Sequence, residues 1–120
     1  MMIRAIRGAT TAENSKNDIF LATKELLQEI LIANNLGIDQ IISILFTATA
    51  DLDAAYPAVA ARELGMVDVA LMCAQEMRVF GSLPKCIRVQ VMTEMDVLQK
   101  DVKHVYLKET QALRPDLINQ

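Results

Sequence analysis

Aromatic residues are scarce in this chain of 120 residues: no Trp, two Tyr and three Phe, 4% in all. A single histidine, His104, with no Cys/His cluster around it cannot build a usual zinc site. The two cysteines, Cys73 and Cys86, form no CxxC motif. Four glycines leave no phosphate-cradling loop, nucleophile elbow or dinucleotide fingerprint. Covalent catalysis is poorly supported, and no cofactor and no metal are expected. No apolar run approaches the ~20 residues that span a bilayer, so no membrane association is expected. The opening Met1-Met2-Ile3-Arg4 lacks the basic-then-apolar plan of an export signal. The expectation is a cytoplasmic protein with reduced thiols.

What is present is 52% apolar and 22% charged residues, the balance of a compact domain. This length supports one core, so residues 1–120 read as a single domain, with about 110–120 as a C-terminal tail that could close over a ligand or simply fray. The formal net charge of −3 argues against nucleic acid as the main partner. It leaves room for a small anion, because the cations are unevenly distributed. The six Lys lie in polar or turn-like surroundings, whereas Arg7, Arg62, Arg88 and Arg114 lie beside apolar residues. Planar, bidentate recognition of a carboxylate favours Arg over Lys. The plainer reading of each is a surface residue with its stem laid along the protein.

Periodicity divides the chain into about seven elements. Met2 to Gly8 reads as a first strand, and Asn14-Ser15 supplies caps for a helix from about Asn17 to Asn34, closed by Gly37. Ile41 to Ala48 is a β-branched, apolar run suited to a buried strand. Pro57 opens a short helix that ends near Leu64-Gly65. Val67, Val69, Leu71 and Cys73 alternate as a third strand. After the turn Gly81-Ser82-Leu83-Pro84, a fourth strand has Ile87, Val89 and Val91 on one face and Arg88, Gln90 and Met92 on the other. A fifth, about Val102 to Lys108, sets Val105 and Leu107 opposite His104, Tyr106 and Lys108. The fold class is α+β: a mixed sheet of about five strands with one long and one short helix. One helix cannot cover both faces of such a sheet, so the other face is expected to meet a second copy of the chain.

Two charged residues stand inside otherwise apolar runs: Glu76 in Cys73-Ala74-Gln75-Glu76-Met77, and Arg88 in Lys85-Cys86-Ile87-Arg88-Val89. Charges among apolar side chains need a partner, from the protein or from a ligand. For Arg88 the protein-side alternative is an interstrand ion pair with Glu94 or Glu76. A set of cations, one carboxylate and hydroxyl or thiol donors suits the positioning of an anion and the stabilisation of developing charge.

These blocks, with Met1 to Thr11, Ala48-Thr49, Asp51-Leu52, Tyr56-Pro57-Ala58, Ala61-Arg62-Glu63-Leu64, His104-Val105-Tyr106-Leu107 and Leu113-Arg114-Pro115-Asp116-Leu117, occur in order and at near-constant spacing. Together they resemble the monofunctional, trimeric pseudo-α/β-barrel chorismate mutases almost from end to end. The resemblance implies a homotrimer with sites in clefts between subunits, chorismate and prephenate as ligands, and a cofactor-free [3,3] Claisen rearrangement in phenylalanine and tyrosine biosynthesis. It implies Arg88 at the ether oxygen and a carboxylate, Arg7 at a carboxylate, Glu76 accepting from the ring hydroxyl, and Tyr106 donating to the side-chain carboxylate. Met72, Cys73, Ala74, Gln75 and Glu76 become a binding segment. Tyr56, Ala58 and Arg62 become the pocket mouth, and Leu113 and Arg114 part of the closing tail. His104 is assigned no role. Three positions depart from the family pattern: Tyr56 replaces Phe, Val59 replaces Lys and Met72 replaces a small polar residue. Two rival readings stand beside this one: a trimeric imine- or enamine-hydrolysing deaminase of similar architecture, and a non-catalytic module that binds an aromatic carboxylate and regulates a partner.

Overall fold

The computed structural model of the chain describes residues 2–113. Five strands, β1 (Ile3–Thr11), β2 (Ile41–Ala48), β3 (Ala70–Gln75), β4 (Cys86–Glu94) and β5 (Val105–Tyr106), form one sheet in the order β3-β2-β4-β1-β5. β4 is antiparallel to both β1 and β2, while β3 and β5 add in parallel at the edges. The helices are α1 (Lys16–Ala33) and α2 (Pro57–Glu63). Among the described residues no helix is long and apolar enough to cross a membrane.

Local chemistry accounts for the helix ends. Ser15 caps α1, its hydroxyl accepting from the Asp18 N–H at 3.1 Å, which satisfies one of the orphan donors of the first turn. At the other end Leu36 N–H donates to Leu31 C=O and Asn35 N–H to Ile32 C=O, with Asn35 at φ +52°. Asn35 is thus the left-handed residue that closes α1, in place of the expected Gly37, since Asn tolerates that conformation. α2 begins on Pro57 and closes the same way, with Gly65 at φ +101° and Met66 N–H donating to Ala61 C=O.

Three strand boundaries differ from the periodicity. β1 runs on to Thr11, held to Cys86 at the start of β4. β3 starts only at Ala70, where Ser43 of β2 first offers a partner; Val67 lies in the turn before it and is exposed. β5 is two residues long because a 3₁₀ turn at Gln99–Asp101 precedes it and Lys108, at φ +55°, breaks it off.

α1 lies across one face of the sheet through Ile19, Ala22, Leu26, Leu27 and Ile30. Leu26, Leu27 and Ile30 meet Ile6, Ile44, Phe46, Val89 and Val91 in the main core cluster, with α2 adding Ala58 and Ala61, while Ile19 and Ala22 pack with Ala12, Leu52 and Ile87. Gly8 permits this approach. A Cβ there would stand 2.8 Å from Ile30 Cδ1, 3.1 Å from Leu26 Cδ1 and 3.2 Å from Val89 Cγ2. Glycine ordinarily weakens a strand, so in open space Gly8→Val would stabilise it. Here the added bulk should lower stability by about 1–3 kcal/mol through overpacking, read from the urea midpoint. A raised midpoint would show that α1 is not so closely seated.

Candidate active site

The strand register decides which side chains share a face. Arg88 pairs with Ala9 on β1 and with Thr47 on β2. Ala9 pairs in turn with Tyr106, and Thr47 with Ala74. One row across the sheet therefore reads Tyr106, Ala9, Arg88, Thr47, Ala74, with Arg7 opposite Gln90 in the next row. Paired side chains point to the same side. This is the side away from α1, because Gly8, Val89 and Ile6 belong to the helix-covered face. The alternation expected on the fourth strand holds, with Ile87, Val89 and Val91 buried and Arg88 and Gln90 exposed. Ala9, fully buried, separates Arg88 from Tyr106 in that row.

Glu76 follows the end of β3. Its N–H donates to Ala48 C=O at 2.9 Å, and its Oε2 accepts from the Thr47 hydroxyl at 2.5 Å. The same oxygen lies 3.6 Å from Arg88 Nε. The protein-side alternative for Arg88, an ion pair with Glu94 or Glu76, is met by Glu76 just beyond β3, while Glu94 pairs with Ile3 at the far end of β4. The Arg88 side chain stays 47% exposed and that of Glu76 22%. An ion pair in so open a setting adds little stability, and it leaves the guanidinium accessible. Arg7, Leu45, Thr47, Glu76, Arg88 and Gln90 line a cleft of about 220 Å³.

The remaining expected residues fall elsewhere. Tyr56, Cys73, Ala74 and Gln75 line a second cleft of about 540 Å³ with Ala48 and Leu52. Cys73 is opposite Phe46 in the register, on the helix-covered face, and packs against the main core. Ala58 is buried in that core, and Arg62 is exposed on α2. Met72, 65% exposed, sits opposite Leu45 on the uncovered face. Tyr106 lines neither cleft but occupies the Arg88 row. Leu113 follows a 3₁₀ turn at Lys108–Ala112 that is tied to β1, the buried Thr110 hydroxyl donating to Ala9 C=O at 3.0 Å. Arg114 lies outside the described residues.

The structure adds supports that periodicity did not reveal. The Arg7 N–H donates to His104 Nδ1 at 2.9 Å, giving His104 a task at the edge of β1. The start of β4 is latched to the loop after β2. Thr49 Oγ accepts from Cys86 N–H at 3.0 Å, and the Asp51 carboxylate accepts from Lys85 N–H at 3.0 Å. That latch suits Lys85, which has φ +52°. Glu13, ion-paired at 2.7 Å, raises the Lys85 ammonium above its ordinary value. Burial pushes the Cys86 thiol up, with the Arg88 guanidinium opposing, which disfavours the reactive thiolate. Among the described residues, no three His, Cys, Asp or Glu side chains are grouped to hold a metal ion.

Known proteins resemble this chain along nearly its whole length. The family model for chorismate mutase type I matches residues 3–117. The chorismate mutase AroH of Bacillus subtilis is 47% identical over 119 residues, which cover 98% of this chain and 94% of that protein. The AroH of Thermus thermophilus is 47% identical over 118 residues, 97% of each chain. A solved chorismate mutase from Clostridium thermocellum superposes with a TM-score of 0.88 at 51% identity, covering 90% of this chain and 97% of its own.

Proposed function

This chain belongs to the type I chorismate mutase family, and from that membership we propose how its residues divide the work of converting chorismate to prephenate. The enzyme is a chorismate mutase; the deaminase reading is not favoured. The reaction is a unimolecular [3,3] shift in which the ether C–O bond breaks as a new C–C bond forms. Catalysis then consists of holding the compact chair-like conformer and meeting the negative charge that gathers on the ether oxygen.

Arg88 serves that oxygen and the nearer carboxylate, its several fixed donors acting from one centre. Arg7 binds a carboxylate and restrains the conformer. Glu76 accepts from the ring hydroxyl, and Tyr106 donates to the side-chain carboxylate. The observation that carries this reading is the convergence of Arg7, Glu76 and Arg88 on one cleft of the uncovered sheet face. The second cleft, with Tyr56, Cys73, Ala74 and Gln75, supplies the other half of a site from the neighbouring subunit of a homotrimer. Support for self-association comes from that same face, where Leu45 and Met72 are exposed beside the charged groups. Cys73 contributes at most a weak donor. The enzyme works in the cytoplasm.

Purified protein should consume chorismate, followed by its loss of absorbance, without added cofactor and in the presence of a chelator. Cys73→Ala and Cys73→Ser should keep activity within roughly tenfold of wild type, the scale of one neutral hydrogen bond. Between about pH 6 and 9 the rate should be nearly flat, because guanidinium stays charged and no group exchanges a proton during turnover. Dead but folded Cys73→Ala, or a steep bell-shaped profile, would overturn this mechanism. A protein that binds chorismate without turning it over would favour the regulatory reading.

A further inference from the structure

We propose that Thr47 is a positioning residue for Glu76, holding one carboxylate oxygen so that the other is presented to the substrate's ring hydroxyl. The inference rests on the reading of Glu76 given above. Glu76 lies beyond the last residue of β3, where the chain runs on into exposed Met77, Val79 and Phe80. A glutamate in such a setting has three rotatable side-chain bonds and loses rotamer entropy when it is fixed. Two contacts fix this one. Its backbone N–H is taken by Ala48 C=O at 2.9 Å, and its Oε2 by the Thr47 hydroxyl at 2.5 Å. The same Oε2 faces Arg88 Nε at 3.6 Å. With Oε2 engaged twice, Oε1 is the oxygen directed at a ligand.

Thr47 is well suited to this. It stands mid-sheet, paired with Arg88 on one side and Ala74 on the other, so its backbone is held by both neighbours. Its β-branched side chain is stiff at χ1, which gives the hydroxyl a defined direction. A strand position that needed only β propensity would accept Val equally well. What distinguishes Thr from Val here is the bond from its hydroxyl to Glu76 Oε2.

The test compares kcat/KM for Thr47→Val, Thr47→Ala, Thr47→Ser, Glu76→Gln and the double variant Thr47→Val/Glu76→Gln, with melting temperatures alongside. Thr47→Val should lose roughly tenfold or more, the scale for a hydrogen bond to a charged group, while melting at or above the wild-type temperature. Thr47→Ala, which removes the hydroxyl without added bulk, should show the same loss. Thr47→Ser should recover most of the activity. In the Glu76→Gln background Thr47→Val should have little further effect, because both changes remove one linked function. Wild-type activity in Thr47→Val and Thr47→Ala beside an impaired Glu76→Gln overturns the role of Thr47. Losses that multiply in the double variant overturn it too. If Glu76→Gln itself keeps wild-type kcat/KM, the reading of Glu76 falls and the proposal falls with it.

Discussion

Arg88→Ala should lower kcat by about 10²–10³-fold, the scale observed when one donor to a developing oxyanion is removed. The loss should fall on kcat more than on KM, because the charge on the ether oxygen is present mainly in the transition state. The fold should survive. Arg88 lies on the uncovered face, its side chain is 47% exposed, and its ion pair with Glu76 at 3.6 Å is open to solvent. Thr47 still holds Glu76 when the cation is gone. Arg88→Lys should remain badly impaired, since a point charge on a flexible stem cannot serve ether oxygen and carboxylate together. Kinetics at saturating chorismate, with circular dichroism as the control for folding, decide the matter. Near-wild-type turnover in the Lys variant would sink the assignment.

The second large effect is a recovery of activity from two inactive proteins. If each site takes Arg88 from one chain and the Tyr56–Gln75 cleft from the next, defects in the two halves complement each other. The second defect must block the 540 Å³ cleft without unfolding the chain. Cys73 is unsuitable, because its side chain packs against the main core and a tryptophan there would overpack it. Gln75 lies on the same face two residues on, is exposed and lines the cleft. Gln75→Trp and Arg88→Ala should each be nearly inactive alone. Unfolded together in equal amounts and refolded, they should form mixed trimers. A site is then intact only when both contributing chains present an undamaged half, which random assembly makes about one in four. Roughly a quarter of wild-type activity should return by that same argument. A mixture that sediments as a trimer yet stays inactive would put both halves on one chain. An active monomer would remove the shared site altogether.

Much of this architecture was legible in the chain. The helix read over 17–34 is α1 at Lys16–Ala33, because its apolar spacing and the Ser15 cap are local signals. Pro57 and Gly65 bound α2 for the same reason. The alternation that exposes Arg88 and buries Ile87 and Val89 also needs nothing beyond a period of two. Val105 and Leu107 pack against the core as their spacing implied, although β5 itself is far shorter than the run of residues suggested. The mistaken closure of α1 at Gly37 has a plain cause: Asn35 takes the left-handed position glycine usually holds.

The sequence by itself thus determined which segments fold and which face of β4 carries its charges, since both depend on residues within a few positions of one another. Only the tertiary structure decided what those charges meet. Inserting β4 between β1 and β2 puts Arg88 between Ala9 and Thr47, in line with Tyr106. Pairing β3 on the far side of β2 brings Glu76 to the Thr47 hydroxyl and turns Cys73 towards the opposite face from Arg88. A one-residue slip in any of these registers would exchange the two faces. Register between strands tens of residues apart is set by burying Ile6, Phe46 and Val89 together beneath α1, a non-local condition that no window of the chain contains.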